Sequence, residues 1–257
     1  MTDAKIDAVV LAGAPADPEM IPAGGYTSRA MIRLGGRTML DWVVDALQTA
    51  GCVGRIVAVG DVASEGLQDI IEPEGDLVSN IKKGIDALDA SGHVLMVSSD
   101  IPLLTAEAVE DFIKRAVPFE ADMAYPILRR ADCEARYPEM KRTYVKTADG
   151  VFTGGNMMLL STRFIEEHYD AIAGAYAARK QPLKLARMIG VGILLRVMMA
   201  QVIPAAVSVA ALERRVSNVF GAKVAAVISE FPEIGEDVDK PSDVAAVEQI
   251  MAGSRGS

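Results

Sequence analysis

The chain has 257 residues, 51% of them hydrophobic and 24% charged, which supplies one large core and leaves no polar tract long enough for disorder. A formal charge of −9 and a pI near 4.9 argue against nucleic acid or an anionic membrane as the main partner, since both ask for a basic face. Cys52 and Cys133 stand far apart without zinc spacing, and no secretory leader precedes the first apolar run, so a cytoplasmic chain with reduced thiols is expected.

The first element is the run from Ile6 to Gly13, which is continuously apolar enough for a buried parallel strand. The loop from Ala14 to Thr27 carries Pro15, Pro18, Pro22, Gly24 and Gly25, so it is predicted to cross the carboxyl edge of a sheet, where ligands of open α/β sheets sit. Arg29, Arg33 and Arg37 then recur every four residues, a set that suits a polyanion such as a nucleoside triphosphate. Thr38 and Asp41 have capping-box spacing, and Leu40, Val43, Val44 and Leu47 share a helical face that ends at Gly51. Arg55 to Gly60 reads as the second strand of a βαβ unit. A short helix is expected around Gln68, and Ser79 is expected to cap a helix running through Ile85 and Leu88.

His93 to Ser98 reads as a third strand, delivering Asp100 and a helix that starts near Thr105. Asp100 is either a turn or cap residue or a ligand at the sheet edge. Beyond a strand at Ala121 to Ile127, Asp149-Gly150 signals a hairpin whose returning strand enters Thr153-Gly154-Gly155-Asn156. Glycine there leaves room for a ligand against the backbone or marks a β-bulge. Arg142 and Lys146 share one face of the expected outgoing strand, as an anion site or as a solvated basic face.

From Ser161 to Phe220 the pattern is mostly helical. Met188 to Ala211 approaches the roughly 20 apolar residues of a membrane span. Arg196 near its middle would cost about 2.5–3.5 kcal/mol on insertion scales, and Gln201 and Pro204 interrupt it. Leu183 to Ala200 is therefore read as a helix buried against the sheet or against a second subunit of a homodimer. A further helix runs from Ser208 or Val209 to Gly221. Ala222 to Ser229 is the last strand, and Pro241 suits the first position of the last helix. Asp237 and Asp239 before it either compensate the helix dipole or, alternating in extended chain, face one way together.

Four motifs together resemble the nucleotidyltransferases of glycosyltransferase-A-like fold, in particular the family that includes the molybdenum-cofactor nucleotidyltransferases. They are Leu11-Ala12-Gly13-Ala14, the segment Arg29 to Leu40, Ser99-Asp100-Ile101-Pro102-Leu103-Leu104, and the late Asp237-Val238-Asp239-Lys240-Pro241. Ala14 replaces the family's second glycine, and Arg29 stands where the family carries a phosphate-binding lysine. The resemblance implies an α/β, Rossmann-like three-layer sandwich with a mostly parallel sheet, helices on both faces, one domain over residues 1–257 and a helical insertion at about 162–220. It implies transfer of a nucleotidyl group from an NTP to an anionic or phosphorylated small molecule, with Mg2+ as cofactor. Nucleotide binding falls to Leu11, Ala12, Gly13, Arg29, Ser79 and Asn80, and the metal to Asp100, Asp237 and Asp239. Arg29 and Asp100 are the catalytic candidates. Acceptor binding falls to Arg142, Lys146, Thr153, Gly154, Gly155 and Asn156. His93 and His168 offer no general base. Two alternatives stay open: a glycosyltransferase of the same fold, although Ser98-Ser99-Asp100 lacks an Asp-x-Asp, and a non-catalytic nucleotide-binding protein.

Overall fold

The computed structural model describes residues 5–20, 27–67, 69–178 and 207–254. In chain order they form β1 (Ile6–Leu11), a small hairpin of β2 (Arg33–Leu34) and β3 (Arg37–Thr38), α1 (Met39–Thr49), β4 (Val53–Val59), β5 (Ile70–Ile71), α2 (Leu77–Leu88), β6 (His93–Ser98) and α3 (Ala106–Ala116). The second half adds β7 (Met123–Arg129), α4 (Arg130–Arg136), β8 (Val145–Thr147), β9 (Gly150–Gly154), β10 (Met157–Ser161), α5 (Thr162–Ala178), α6 (Val209–Phe220), β11 (Val224–Ser229) and α7 (Pro241–Ser254).

Among the described residues, nine strands join one sheet in the order β5-β4-β1-β6-β10-β7-β9-β8, with β11 on the other side of β7. β5, β4, β1 and β6 run parallel, as do β7 and β11, whereas β10 lies antiparallel between β6 and β7. β7 is shared. Its first residues pair with β10 and its last, Ile127 to Arg129, with β9. The sheet therefore changes partners at Gly154 to Asn156.

Period-two alternation explains why the central strands are apolar on both sides. Ala8 and Val10 of β1, Leu95 and Val97 of β6, and Met157 and Leu159 of β10 face one core with Leu40, Val43 and Leu47 of α1 and Val109, Phe112 and Ile113 of α3. Their neighbours Val9, Val94, Met96 and Leu160 face the other core with Ile81, Ile85 and Leu88 of α2 and Phe164 and Ile165 of α5. Helices on both faces are thus the architecture observed. A third, smaller core gathers Ile32, Leu34 and Met39 with Tyr137, Met140, Val238 and Val247, and it packs α7 against the β2–β3 hairpin.

Several local expectations hold. The Thr38–Asp41 capping box is present, Thr105 caps α3, and α6 runs from its Ser208 cap to Gly221 in the left-handed conformation. Others are corrected. Asp76, not Ser79, caps α2, because its carboxylate accepts the Val78 and Ser79 amides at 2.8 and 3.1 Å. Ile70–Ile71 pair with β4 as a short strand where a helix was expected, while Gln68 itself lies outside the described residues. Arg33 and Arg37 belong to the β2–β3 hairpin, where Arg33 donates to the Gly36 carbonyl and Arg37 pairs with Asp45. The four-residue spacing is consequently not a cationic face. β8 starts at Val145, so Arg142 precedes it and shares no strand face with Lys146. The expected helix from Leu183 to Ala200, and most of the apolar stretch from Met188 to Ala211, lie outside the described residues. No helix among those described is long and apolar enough to cross a membrane.

Gly84 sits where α2 crosses β1 and β4. A Cβ there would lie 2.4 Å from Val9 Cγ1 and 3.2 Å from Val59 Cγ2, both side chains fully buried. Helix propensity alone would make Gly84→Ala stabilising by about 1 kcal/mol. The overlap reverses the sign: urea denaturation should show a net loss of about 1–3 kcal/mol.

Candidate active site at the carboxyl edge of the sheet

β1 and β6 are parallel neighbours, so their carboxyl ends open on the same edge. The amide of Ser99 donates to the Leu11 carbonyl at 3.2 Å, which carries the pairing one step past the strand and sets Asp100 beside the start of the first loop. That loop closes on itself at its base. Ser28 Oγ donates to the Ala12 carbonyl at 2.6 Å, the Arg29 amide to Ala14 at 2.9 Å, and the Ala16 amide to Thr27 at 3.1 Å. Arg29 is thereby returned to the strand end from which the loop departed.

The opposite wall comes from the segment after β11. The Val238 amide donates to the Asp100 carbonyl at 2.9 Å, and Val238 itself is buried in the third core, so its neighbours Asp237 and Asp239 are held beside Asp100. Asp239 does not cap α7. The carboxylate of Asp243 accepts the Asp239 and Lys240 amides at 3.1 and 3.2 Å, which is half of a capping box with Pro241 at the first helical position. The Asp239 carboxylate turns to Arg29 instead.

One guanidinium nitrogen, Arg29 Nη1, donates to Asp100 Oδ2 at 3.0 Å and also to Asp239 Oδ1. A second guanidinium, Arg142, donates from Nη1 to Asp237 Oδ1 at 2.6 Å and lies 3.8 Å from Glu236. Asn156 Nδ2 donates to the Gly235 carbonyl at 3.2 Å and to Asp237 at 3.4 Å, while the Asn156 main chain ties the Ser98 amide to the Ile234 carbonyl. Burial, with the nearby Asp237 charge, holds the carboxyl of Asp100 above the usual range despite hydrogen bonds from Ser98 and Arg29. Burial and Asp237 raise Asp239 as well. Among the described residues, no group of three or more His, Cys, Asp or Glu side chains is disposed to hold a metal ion. Asp100 and Asp239 do converge on one cationic nitrogen. Two carboxylate oxygens meeting at a point suit a small hard cation that completes its shell with water and phosphate.

Gly13 and Asn80 are adjacent, since a Cβ at Gly13 would lie 3.3 Å from Asn80 Nδ2, and Asn80 Oδ1 accepts the Glu74 amide. Ser79 turns away to Tyr169, at 3.0 Å between hydroxyls. Lys146 pairs opposite Val151 on the β8–β9 hairpin, remote in register from the Asn156 turn. Thr153 is buried within β9. The Cβ positions of Gly154 and Gly155 are already filled by Tyr125 and by Ile234 and Pro126, so these glycines admit the protein's own side chains. His93 is exposed and donates from Nε2 to the Ala121 carbonyl at 2.9 Å, away from this edge.

Sequence reasoning missed Ser98, which hydrogen-bonds Asp100, Tyr125, whose hydroxyl donates to the Gly155 carbonyl at 2.7 Å, and Glu236. Glu236 is fully buried, and neither carboxylate oxygen has a hydrogen-bond partner. Arg142 faces it, and so do the acids Asp237, Asp243 and Glu233. Burial pushes its carboxyl up to about 7 from an ordinary 4.5. The folded chain thus holds this proton more tightly than the unfolded chain, and stability falls as pH rises from about 4.5 through about 7. Glu236→Gln should remove that decline and leave the protein more stable at pH 8, by about 3 kcal/mol on linkage arithmetic, as read from denaturation midpoints at pH 5 and pH 8.

The comparisons accord with this architecture. A family model described as the MobA-like NTP transferase domain matches residues 8–189. A hypothetical transferase from Thermus thermophilus superposes with a TM-score of 0.83 at 34% identity, covering 93% of this chain and 99% of that one. The CMP:2-keto-3-deoxy-manno-octonic acid synthetase solved with CTP superposes with a TM-score of 0.63 at 11% identity, over 98% and 100% of the two chains. The 2-C-methyl-D-erythritol 4-phosphate cytidylyltransferase of Thermus thermophilus gives 0.56 at 15%, over 96% and 99%; at such identities the likeness concerns the fold alone. The bifunctional protein GlmU of Thermoanaerobacter pseudethanolicus is 30% identical over 86 residues, a match spanning 30% of this chain and 19% of that protein. This chain belongs to the MobA-like NTP transferase family of nucleotidyltransferases.

Proposed function

We propose that the chain transfers a nucleotidyl group from an NTP to an anionic or phosphorylated small molecule in the cytoplasm, releasing pyrophosphate. The observation that carries this reading is the meeting of Arg29 from the first loop with Asp100 and Asp239 at the open edge. In the proposal, Leu11, Ala12, Gly13 and Asn80 line the nucleoside end. Arg29 neutralises charge on the leaving pyrophosphate, through donors that match phosphate oxygens. Asn156 and Asp237 border the acceptor end. Arg142 shapes that end by holding Asp237 rather than by presenting an unpaired charge.

The acceptor oxygen forms its bond to the α-phosphorus as the bond to the bridging oxygen breaks, and pyrophosphate leaves with that electron pair. A phosphorylated acceptor brings an oxygen already ionised at neutral pH, so no general base is required. The chain's contribution is then placement and charge stabilisation. Asp100 and Asp239 would hold Mg2+, which when bound supplies neutralisation of the phosphate charge.

Pyrophosphate release on incubation with each NTP, CTP included, and a panel of sugar and polyol phosphates tests the reaction. Turnover of a nucleotide sugar instead would identify the glycosyltransferase reading, and binding without turnover the non-catalytic one. Asp100→Asn should abolish metal-dependent nucleotide binding by calorimetry while leaving the chain folded. Asp239→Ala should weaken the same binding and alter stability by no more than about 1 kcal/mol. Asp243→Ala should do the reverse, losing about 1 kcal/mol of cap energy with metal affinity unchanged.

A further inference from the structure

We infer that Arg29 is a displaceable internal counter-ion: in the nucleotide-free chain its guanidinium holds the place between Asp100 and Asp239 that a divalent cation needs, and the cation gains that place when nucleotide phosphates draw Arg29 away. The inference rests on the proposed function, whose Asp100–Asp239 cation site it presupposes.

The first support is exclusion. Arg29 Nη1 bonds Asp100 Oδ2 and Asp239 Oδ1 at once, so a metal ligated by the same two oxygens cannot share the site with it. The second is that the fold brings the two carboxylates to one point, although the Asp239 side chain is itself 57% exposed. They come from segments far apart in sequence, yet the Val238 amide on the Asp100 carbonyl and the burial of Val238 clamp them together. Asp100 is largely desolvated, with a side chain only 12% exposed. Two acids fixed side by side in a partly dry setting need a cation to stay ionised. Arg142 is engaged by Asp237 and Glu236, and Lys240 lies 4.0 Å from Asp243, which leaves Arg29 to serve.

The third support is that the pose is incomplete for Arg29 itself. Its Nε is buried without an acceptor. A buried donor left unpaired carries a cost, whereas phosphate oxygens could satisfy the whole fork of the guanidinium. Its backbone need not move, because the base of the first loop is pinned at Ala12, Ala14 and Ala16. Rotation of the side chain suffices. Nucleotide and metal then favour one another, the phosphates by removing the competitor and the metal by replacing the charge that leaves.

Titration of Mn2+ into the nucleotide-free protein, followed by calorimetry and by loss of the free-ion electron paramagnetic resonance signal, tests this. Arg29→Gln, verified as folded by circular dichroism, should bind Mn2+ at least fivefold more tightly than the wild type, the lower end of ordinary coupling strengths. Arg29→Lys, which keeps the charge, should stay close to the wild type. Equal or weaker binding by Arg29→Gln overturns the inference. If that variant does not fold, the wild type decides: binding that needs millimolar Mn2+ supports the competitor, and a site filled by micromolar Mn2+ without nucleotide overturns it. These titrations contain no NTP and read no turnover, so their failure is distinct from a failure to release pyrophosphate.

Discussion

Like charges forced together at the carboxyl edge are the constraint on which the rest of this structure depends. Asp100, Glu236, Asp237 and Asp239 lie within reach of two guanidiniums, Arg29 and Arg142. In water such acids would drift apart. Here main-chain hydrogen bonds and buried neighbours keep them in place, and the ionisation of Asp100, Glu236 and Asp239 is displaced upward as a result. Strain of this kind persists only where the surroundings over-determine it.

The surroundings are built from two unlike halves of the sheet. β1, β4 and β6 form a parallel slab with apolar side chains on both faces, rigid because helices cover each side. β10 enters antiparallel between β6 and β7, and β9 takes over β7 from Ile127 onward. The handover occurs at Gly154 to Asn156, which is why Asn156 can bond the end of β6 and the segment after β11 at the same time. A seam in the sheet thus joins the slab that carries Asp100 to the arm that carries Asp237 and Asp239.

What could be read from the chain was local or strictly periodic. The apolar runs of β1 and β6, the Thr38–Asp41 box, the hairpin at Asp149-Gly150 (its turn at Ala148 and Asp149, with Gly150 already paired to Thr147) and the Ser208–Gly221 limits of α6 each depend on a few consecutive residues. β10 escaped because Met157 to Leu160 make only a short apolar run after Thr153-Gly154-Gly155-Asn156, and its partners lie in β6 and β7, far away in sequence. α4 is a seven-residue helix with one buried residue, too short for a visible periodic face. Ser79 and Asp76 are both good caps by residue type, and only the fold decides which amides are exposed to be capped. The placement of Arg142 against Asp237 and Glu236 is a contact across about ninety-five residues, beyond any window of sequence. Asp100 was legible because a buried strand and a following proline mark a sheet edge without reference to distant chain.

The stapled base of the first loop carries one more consequence. Since hydrogen bonds at Ala12, Ala14 and Ala16 set where Arg29 returns, the position of that side chain is insulated from the length of chain between Ala16 and Thr27. Doubling such a segment adds only about 0.6 kcal/mol of closure entropy. Residues can accordingly be gained or lost there over evolutionary time while the Arg29, Asp100 and Asp239 cluster stays put.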